Sequence, residues 1–362
     1  MSSRCTTFPD YGKIAVAIGI ALAFATFARP LPAGAATGET TQCSDGGTFS
    51  KVCGIPVPED LVPVPGTSWL IASSMPRDGS AGGLYLVETR SRRVEPVTIR
   101  EATGNGNGRE RAPDRTEACA PPDPAKWITH GISIVEGSNG VHRLFVVAHG
   151  GREAIELFTV HTHGAQPEIF WTGCVKLPDG LEANSVAGLP GGGFLFTSLY
   201  DQGDADWKSR MDKLGSASPA GGVYEWDDAK GIRRIDAPAM SGPNGIAVSP
   251  DGKSVFLAGW GDRRLRRIDR AGRETAPSIA LDFLPDNLHW APDGTLLAAG
   301  QRATVAQLFG CTTGKEIPDF CVRSYSVASI SAETLEVVKR WEQPIASGFG
   351  DSTAAVLLDG AL

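Results

Sequence analysis

The chain lacks the marks by which most hydrolases and nucleotide enzymes are read. No G-x-S-x-G occurs; residues 350–354 (G-D-S-T-A) come nearest and fail at the last position, so no nucleophile-elbow serine is offered. No H-E-x-x-H and no G-K-[ST] is present, which removes the helical zinc peptidases and the phosphate-cradling loop of nucleotide hydrolases. No C-x-x-C exists either, so dithiol redox chemistry and a zinc ribbon are excluded. No long helical period runs through the sequence. Basic blocks are missing as well: 34 Lys and Arg stand against 41 Asp and Glu, and the net charge is −7. Such a chain has no electrostatic attraction for nucleic acid or an anionic membrane. The short cluster Arg263, Arg264, Arg266, Arg267 alternates on an expected strand and reads as an exposed edge.

Only one apolar run is long enough to discuss. Residues 14–28 follow Arg4 and Lys13, end at Pro30, and precede Ala33-Gly34-Ala35, the small-residue pattern of a cleavage site. The run is short for a bilayer span and has the flanks of a secretory signal peptide. The expected organisation is therefore a signal peptide over 1–35, a flexible leader over 36–52 and one all-β domain over 53–362, secreted or periplasmic and without stable membrane insertion after cleavage. Six cysteines remain after such a cut: Cys43, Cys53, Cys119, Cys174, Cys311 and Cys321. An even count in an oxidising compartment predicts disulfides, and six cysteines allow fifteen pairings. Cys311–Cys321, clipping one loop, is the pairing expected first.

What is present is a repeat. Residues 241–260 read S-G-P-N-G-I-A-V-S-P-D-G-K-S-V-F-L-A-G-W: a polar head at Asn244, a strand, a turn at Pro250-Asp251-Gly252, and a returning apolar strand. The same shape recurs from Glu59-Asp60, His130, Asn184, Asp286-Asn287 and Asp351. Six copies at irregular spacings of roughly 40 to 70 residues match propeller blades. With 44 glycines and 25 prolines, the expected fold is an all-β, six-bladed β-propeller with a metal site in the central channel. The last blade is expected to be short, since a strand over 356–358 enters a turn two residues before Leu362. Equivalent positions in blades fall at equivalent radii, so the six heads would ring one end of the channel. Carboxylate and amide oxygens converging there form a hard-cation site. The polar insertion 202–219, with Trp207 and Met211, reads equally as a short helix over the channel mouth or as a surface loop.

Set side by side, these segments resemble the calcium-dependent paraoxonase/arylesterase family, within the wider gluconolactonase-like six-bladed propellers. The resemblance runs from P-E-D-L-V-P-V-P-G at Pro58 to G-D-S-T-A-A-V at Gly350, and P-N-G-I-A-V-S-P-D-G-K at Pro243 and L-D-F-L-P-D-N-L at Leu281 are its most specific stretches. It implies a catalytic Ca2+ held by Glu59, Asn184, Asn244, Asp286 and Asn287. T-H-G-I-S-I at Thr129 and V-V-A-H at Val146 match the segments carrying that family's two catalytic histidines, here His130 and His149. Asp60 matches a ligand of a second, structural calcium, whose acidic partner position is Ser185 here.

The chemistry so implied is hydrolysis of lactones and aryl esters by a monomer acting on small molecules. Ca2+ would polarise the carbonyl, and His130 would take the water proton with His149 behind it. Asp286 is an alternative base or nucleophile. Organophosphate triesters would be slow substrates. Trp127, Phe170, Trp207, Trp260 and Trp290 are candidates for an apolar channel mouth. His289 is read as structural, His161 and His163 as exposed on an outer strand, and His142 as a turn residue. Two other classes stay open: a non-catalytic binding propeller using calcium for stability, and a strictosidine-synthase-like condensing enzyme, which needs no calcium ring.

Overall fold

The structure, a computed structural model, describes residues 52–76, 78–102, 119–204, 206–309, 324–343, 352–358 and 362. All belong to the unit Thr40–Leu362. The expected signal peptide, nearly all of the leader, the Cys311–Cys321 pair and the head Asp351 lie outside the described residues.

Among the described residues five sheets follow one another along the chain, antiparallel but for one added edge strand. The first holds β1 (Pro58–Pro63), β2 (Trp69–Ser74), β3 (Gly83–Glu88) and β4 (Arg93–Pro96) in sequence order. The second holds β5 (Arg100–Glu101), β6 (Ile128–Val135), β7 (Val141–His149), β8 (Ala154–His161) and β9 (Glu168–Lys176), ordered β5-β9-β8-β7-β6, with β5 added parallel to the outer edge of β9. The third is β10 (Val186–Gly188), β11 (Phe194–Ser198), β12 (Gly222–Asp227) and β13 (Gly231–Ile235). Helix α1 (Trp207–Gly215) interrupts it between β11 and β12 and is capped by Asp206. Of the two readings of the insertion, the helix is the one found. The fourth sheet is β14 (Pro243–Val248), β15 (Ser254–Gly259), β16 (Arg264–Asp269) and β17 (Glu274–Ala280). The fifth is β18 (Leu284–Trp290), β19 (Leu296–Gln301), β20 (Tyr325–Ile330) and β21 (Val337–Gln343), with α2 (Val305–Phe309) between β19 and β20.

Among the described residues the architecture is an all-β propeller with five blades, which corrects the expectation of six. The sixth repeat contributes residues 352–358, and these join none of the five sheets. The segment nevertheless occupies a place in the ring. Asn287 N donates to Thr353 O (2.9 Å), and Thr353 Oγ1 donates to Glu59 O, so it bridges the fifth blade to the first. Counting polar heads counted positions around the ring. A blade needs further strands stacked outward behind the head, and a head can be present without them.

Strand position explains the sequence pattern. Inner strands are covered on both faces and read as unbroken apolar runs; β19, Leu-Leu-Ala-Ala-Gly-Gln, is buried throughout. The outermost β17, Glu-Thr-Ala-Pro-Ser-Ile-Ala, has no buried residue. Apolar cores lie between successive blades. Val62, Ile71 and Leu86 of the first meet Ile132, Val146 and Phe158 of the second, and Phe145 and Leu157 of the second meet Phe194 and Trp226 of the third. Ala187 and Leu195 meet Ile246 and Leu257, while Phe256 and Leu265 meet Leu288 and Leu296. On the far face of the fifth blade, Leu297, Ala299 and Val327 are covered by Ala355. Each fully buried Leu, Ile or Phe stabilises this stack by about 1.5–3 kcal/mol. A disulfide, Cys119–Cys174, ties the segment before β6 to β9. Among the described residues no helix is long and apolar enough to cross a membrane.

Candidate functional site

The polar heads sit at one repeated irregularity of the backbone. In the first blade Pro58 pairs with Ser74 and Leu61 with Ala72, so Glu59 and Asp60 together oppose the single residue Ser73. The second blade skips His130-Gly131 between Thr129↔Ala148 and Ile132↔Val146. The fourth skips Asn244-Gly245 between Pro243↔Gly259 and Ile246↔Leu257, and the fifth skips Asp286-Asn287 between Pro285↔Gly300 and Leu288↔Ala298. In the third blade Asn184 N donates to Thr197 O and Thr197 N donates to Ser185 O, placing Asn184-Ser185 opposite Thr197 just before β10. Each of the five described heads is thus a two-against-one β-bulge. A bulge breaks the alternation of side chains and re-aims them, which is how a strand buried on both faces can turn polar groups toward an axis.

Hydrogen bonds to backbone groups link the bulges in order around the ring. Asp60 Oδ2 accepts from Ile132 N (2.8 Å), Gly131 N donates to Asn184 O (3.1 Å), and Thr197 Oγ1 donates to Asn244 O (2.5 Å). Between the fourth and fifth blades the approach is closer still: a Cβ on Gly245 would lie 2.2 Å from Asp286 O, so only glycine fits there. Residues 352–358 close the circle through Thr353, as described above.

Side chains then meet within that circle. Asn287 Nδ2 donates to Glu59 Oε1 at 2.9 Å, and the same oxygen lies 3.7 Å from His130 Nε2. Asn184 Nδ2 is 3.4 Å from His130 Nε2, and His130 Nδ1 is 3.0 Å from His149 Nε2. The structure therefore brings Glu59, Asn184, Asn287, His130 and His149 into one continuous group. Asp286 and Asn244 belong to the same ring through their backbones, and Asp286 has a side-chain support of its own. Asp286 Oδ2 accepts from Gln301 Nε2 (2.8 Å), and Gln301 Oε1 accepts from Trp260 Nε1 (3.1 Å). Glu59, Asn184, Asn244, Asp286 and Asn287 are all buried.

Asp60 does a different job from its neighbour Glu59. Its Oδ1 accepts from Leu61 N (2.8 Å) and lies 2.6 Å from His289 Nε2, while Oδ2 takes Ile132 N. Both oxygens serve protein groups, and His289, read as structural, is one of them. The apolar candidates divide. Trp260 stands behind Asp286 through Gln301, and Trp207 on α1 is exposed and touches Tyr200 edge-on. Trp127, Phe170 and Trp290 belong elsewhere: Trp127 stacks on Phe158 in the core, Phe170 is buried against His161, and Trp290 packs on Phe256 and donates to Val248 O.

Three participants were missed in the sequence: Glu153, whose Oε2 is 2.7 Å from His149 Nδ1, Gln301, and Thr353. Glu153 stands four residues after His149 across a Gly-Gly hairpin, a spacing that could have flagged it. Gln301 carried no local signal.

The donor set suits a hard cation. Asn184 Oδ1 and Asn244 Oδ1 are buried and accept no hydrogen bond within the protein, a cost of about 1–3 kcal/mol each that a bound cation would remove. With the Glu59 and Asp286 carboxylates and the Asn287 amide, they make an all-oxygen set with two negative charges. Among the described residues no three His, Cys, Asp or Glu side chains gather as a metal cluster, and three of these five donors are amides. No family model and no curated protein matches the chain. Similar solved structures include a luciferin-regenerating enzyme (13% identity, 83% of this chain and 79% of that one, TM-score 0.46), a calcium-binding regucalcin from Agrobacterium tumefaciens (12%, 86% and 81%, 0.45) and a streptogramin B lyase (13%, 84% and 75%, 0.43). These likenesses are too distant to carry a functional argument, and the site rests on its own geometry.

Proposed function

We propose that the chain is an exported, Ca2+-dependent hydrolase of lactones and aryl esters. The observation that carries this reading is the conjunction of two buried, unsatisfied amide oxygens and two buried carboxylates with a paired imidazole at their edge. Glu59, Asn184, Asn244, Asp286 and Asn287 would hold the ion. When bound, Ca2+ supplies a Lewis acid for the ester carbonyl and fixed positive charge for the developing oxyanion.

The chain's own residues supply the remainder. His130 Nε2 faces the Glu59 and Asn184 side chains and takes the proton of the attacking water. His149, held against its Nδ1, takes up part of the imidazolium charge. Asp286 adds negative charge to the donor set, and Gln301 and Trp260 keep its carboxylate in one orientation. Trp207, exposed on the α1 side and edge-on to the half-buried Tyr200, offers an aromatic surface for an aryl group. The Cys119–Cys174 disulfide suits an exported protein.

The test is turnover of an aliphatic lactone, an aryl acetate and a sugar lactone, with calcium and after chelation, with circular dichroism recorded alongside. Chelator-sensitive hydrolysis by a protein that stays folded supports the reading and ranks the substrate class. A folded protein that binds calcium and hydrolyses none of the three overturns it in favour of a binding propeller.

A further inference from the structure

β7 ends at His149 and β8 begins at Ala154, with Ala148 paired to Ala154. The hairpin between them is tight: Gly150 has φ +85°, and a Cβ there would fall 2.0 Å from Lys126 O. That turn returns Glu153 to the side of His149, Oε2 to Nδ1 at 2.7 Å. The cation next to it, Arg152, points away and pairs with the buried Glu156 carboxylate, which also accepts from Trp171 Nε1. The Glu153 carboxylate is thereby left to the imidazole.

The hydrogen-bond rules then fix both rings. An ionised carboxylate only accepts, so His149 Nδ1 must carry the proton. In the neutral ring His149 Nε2 is then an acceptor, 3.0 Å from His130 Nδ1, which must therefore donate. The proton on Nδ1 leaves His130 Nε2 with its lone pair, 3.4 Å from the donor Asn184 Nδ2 and 3.7 Å from Glu59 Oε1, a separation too long for a hydrogen bond that would demand a proton on Nε2. Were the far end of this chain a donor, each step would invert and Nε2 would be capped by hydrogen.

We propose that Glu153 is the positioning residue that sets the tautomers of both histidines and so makes His130 Nε2 the basic atom of the site. The proposal rests on the hydrolase reading for its consequence and on the hydrogen-bond chain for its substance. In the reaction a water O–H bond breaks and His130 Nε2–H forms while the water oxygen bonds to the acyl carbon, and the acyl bond to the leaving oxygen then breaks. The positive charge is shared through Nδ1–H with His149 and lies against the Glu153 carboxylate. The same proton is returned to the departing alkoxide or phenolate oxygen, and no other reactant is consumed.

The experiment reads the tautomers directly, by long-range 1H–15N NMR of the histidine side chains of the full chain without substrate, at a pH where the imidazoles are neutral. Wild type is expected to show Nδ1–H on both His130 and His149. Glu153→Ala is expected to release both rings to Nε2–H, to lower kcat about 100-fold with KM within about twofold, and to keep its circular dichroism spectrum. Glu153→Asp, which restores an acceptor, is expected to recover the wild-type tautomers and all but about tenfold of kcat. Nε2–H on His130 in wild type overturns the proposal, and so does an unchanged kcat in a folded Glu153→Ala variant of an active enzyme. A wild-type protein that hydrolyses nothing yet shows the expected tautomers upholds the assignment by Glu153 and removes only the hydrolase reading.

Discussion

The second and fifth blades support the ring in opposite ways. Behind the second, a carboxylate, Glu153, stands against an imidazole pair; behind the fifth, an amide, Gln301, stands against a carboxylate. An acceptor at the back passes donors forward and ends in a lone pair at His130 Nε2. A donor at the back does the reverse: Trp260 fixes the Gln301 oxygen, so its nitrogen faces the Asp286 carboxylate. On the proposed reading, one edge of the ring takes a proton and the other keeps a negative charge. The residues that determine this lie one contact away from the ring itself.

If the edges have these separate jobs, variants should separate them. The largest effect belongs to Asp286→Asn, which keeps the shape and removes the charge: turnover is expected to fall by about 10³-fold or more, with calcium affinity falling alongside, as measured by calorimetry and lactone hydrolysis. His130→Gln is expected to lose about 10²- to 10³-fold in kcat while binding calcium as wild type does. Equal loss of calcium in both variants would break the division. Asp60→Ala sharpens it from another side, because Asp60 shares a bulge with Glu59 yet serves Leu61 N, Ile132 N and His289. Removing it strands those buried donors, so chemical denaturation should show a loss of about 3 kcal/mol. Variant molecules that remain folded should keep their calcium requirement. Gln301→Leu is the mildest: Asp286 loses one donor and keeps its charge, and kcat is expected to fall about tenfold with weaker calcium binding.

The sequence carried the heads themselves. Asn244 before Ile246-Ala247-Val248, or Asp286-Asn287 before Leu288, is a polar group ahead of a buried strand, and that pattern is local. The bulges were not legible, because two-against-one pairing depends on a partner strand some 15 residues away and leaves no mark in composition. For the same reason Gln301 was invisible: its meeting with Asp286 depends on the registers of β18 and β19. His130 was legible as a head of the repeat, whereas His149 and the pairing of the two histidines came only from family resemblance; their 3.0 Å contact follows from the Thr129↔Ala148 pairing beside the bulge. The count of six failed where local pattern and sheet formation part company, at residues 352–358.

The most direct single measurement is a calorimetric Ca2+ titration of the wild-type chain and of Glu59→Gln. Glu59 touches both Asn287 and the imidazole edge. One calcium site in wild type, weakened at least about 100-fold in a folded Glu59→Gln variant, is the predicted result. A wild-type protein that takes up no calcium, or a variant that binds it equally well, would contradict the ring of bulges as a cation site.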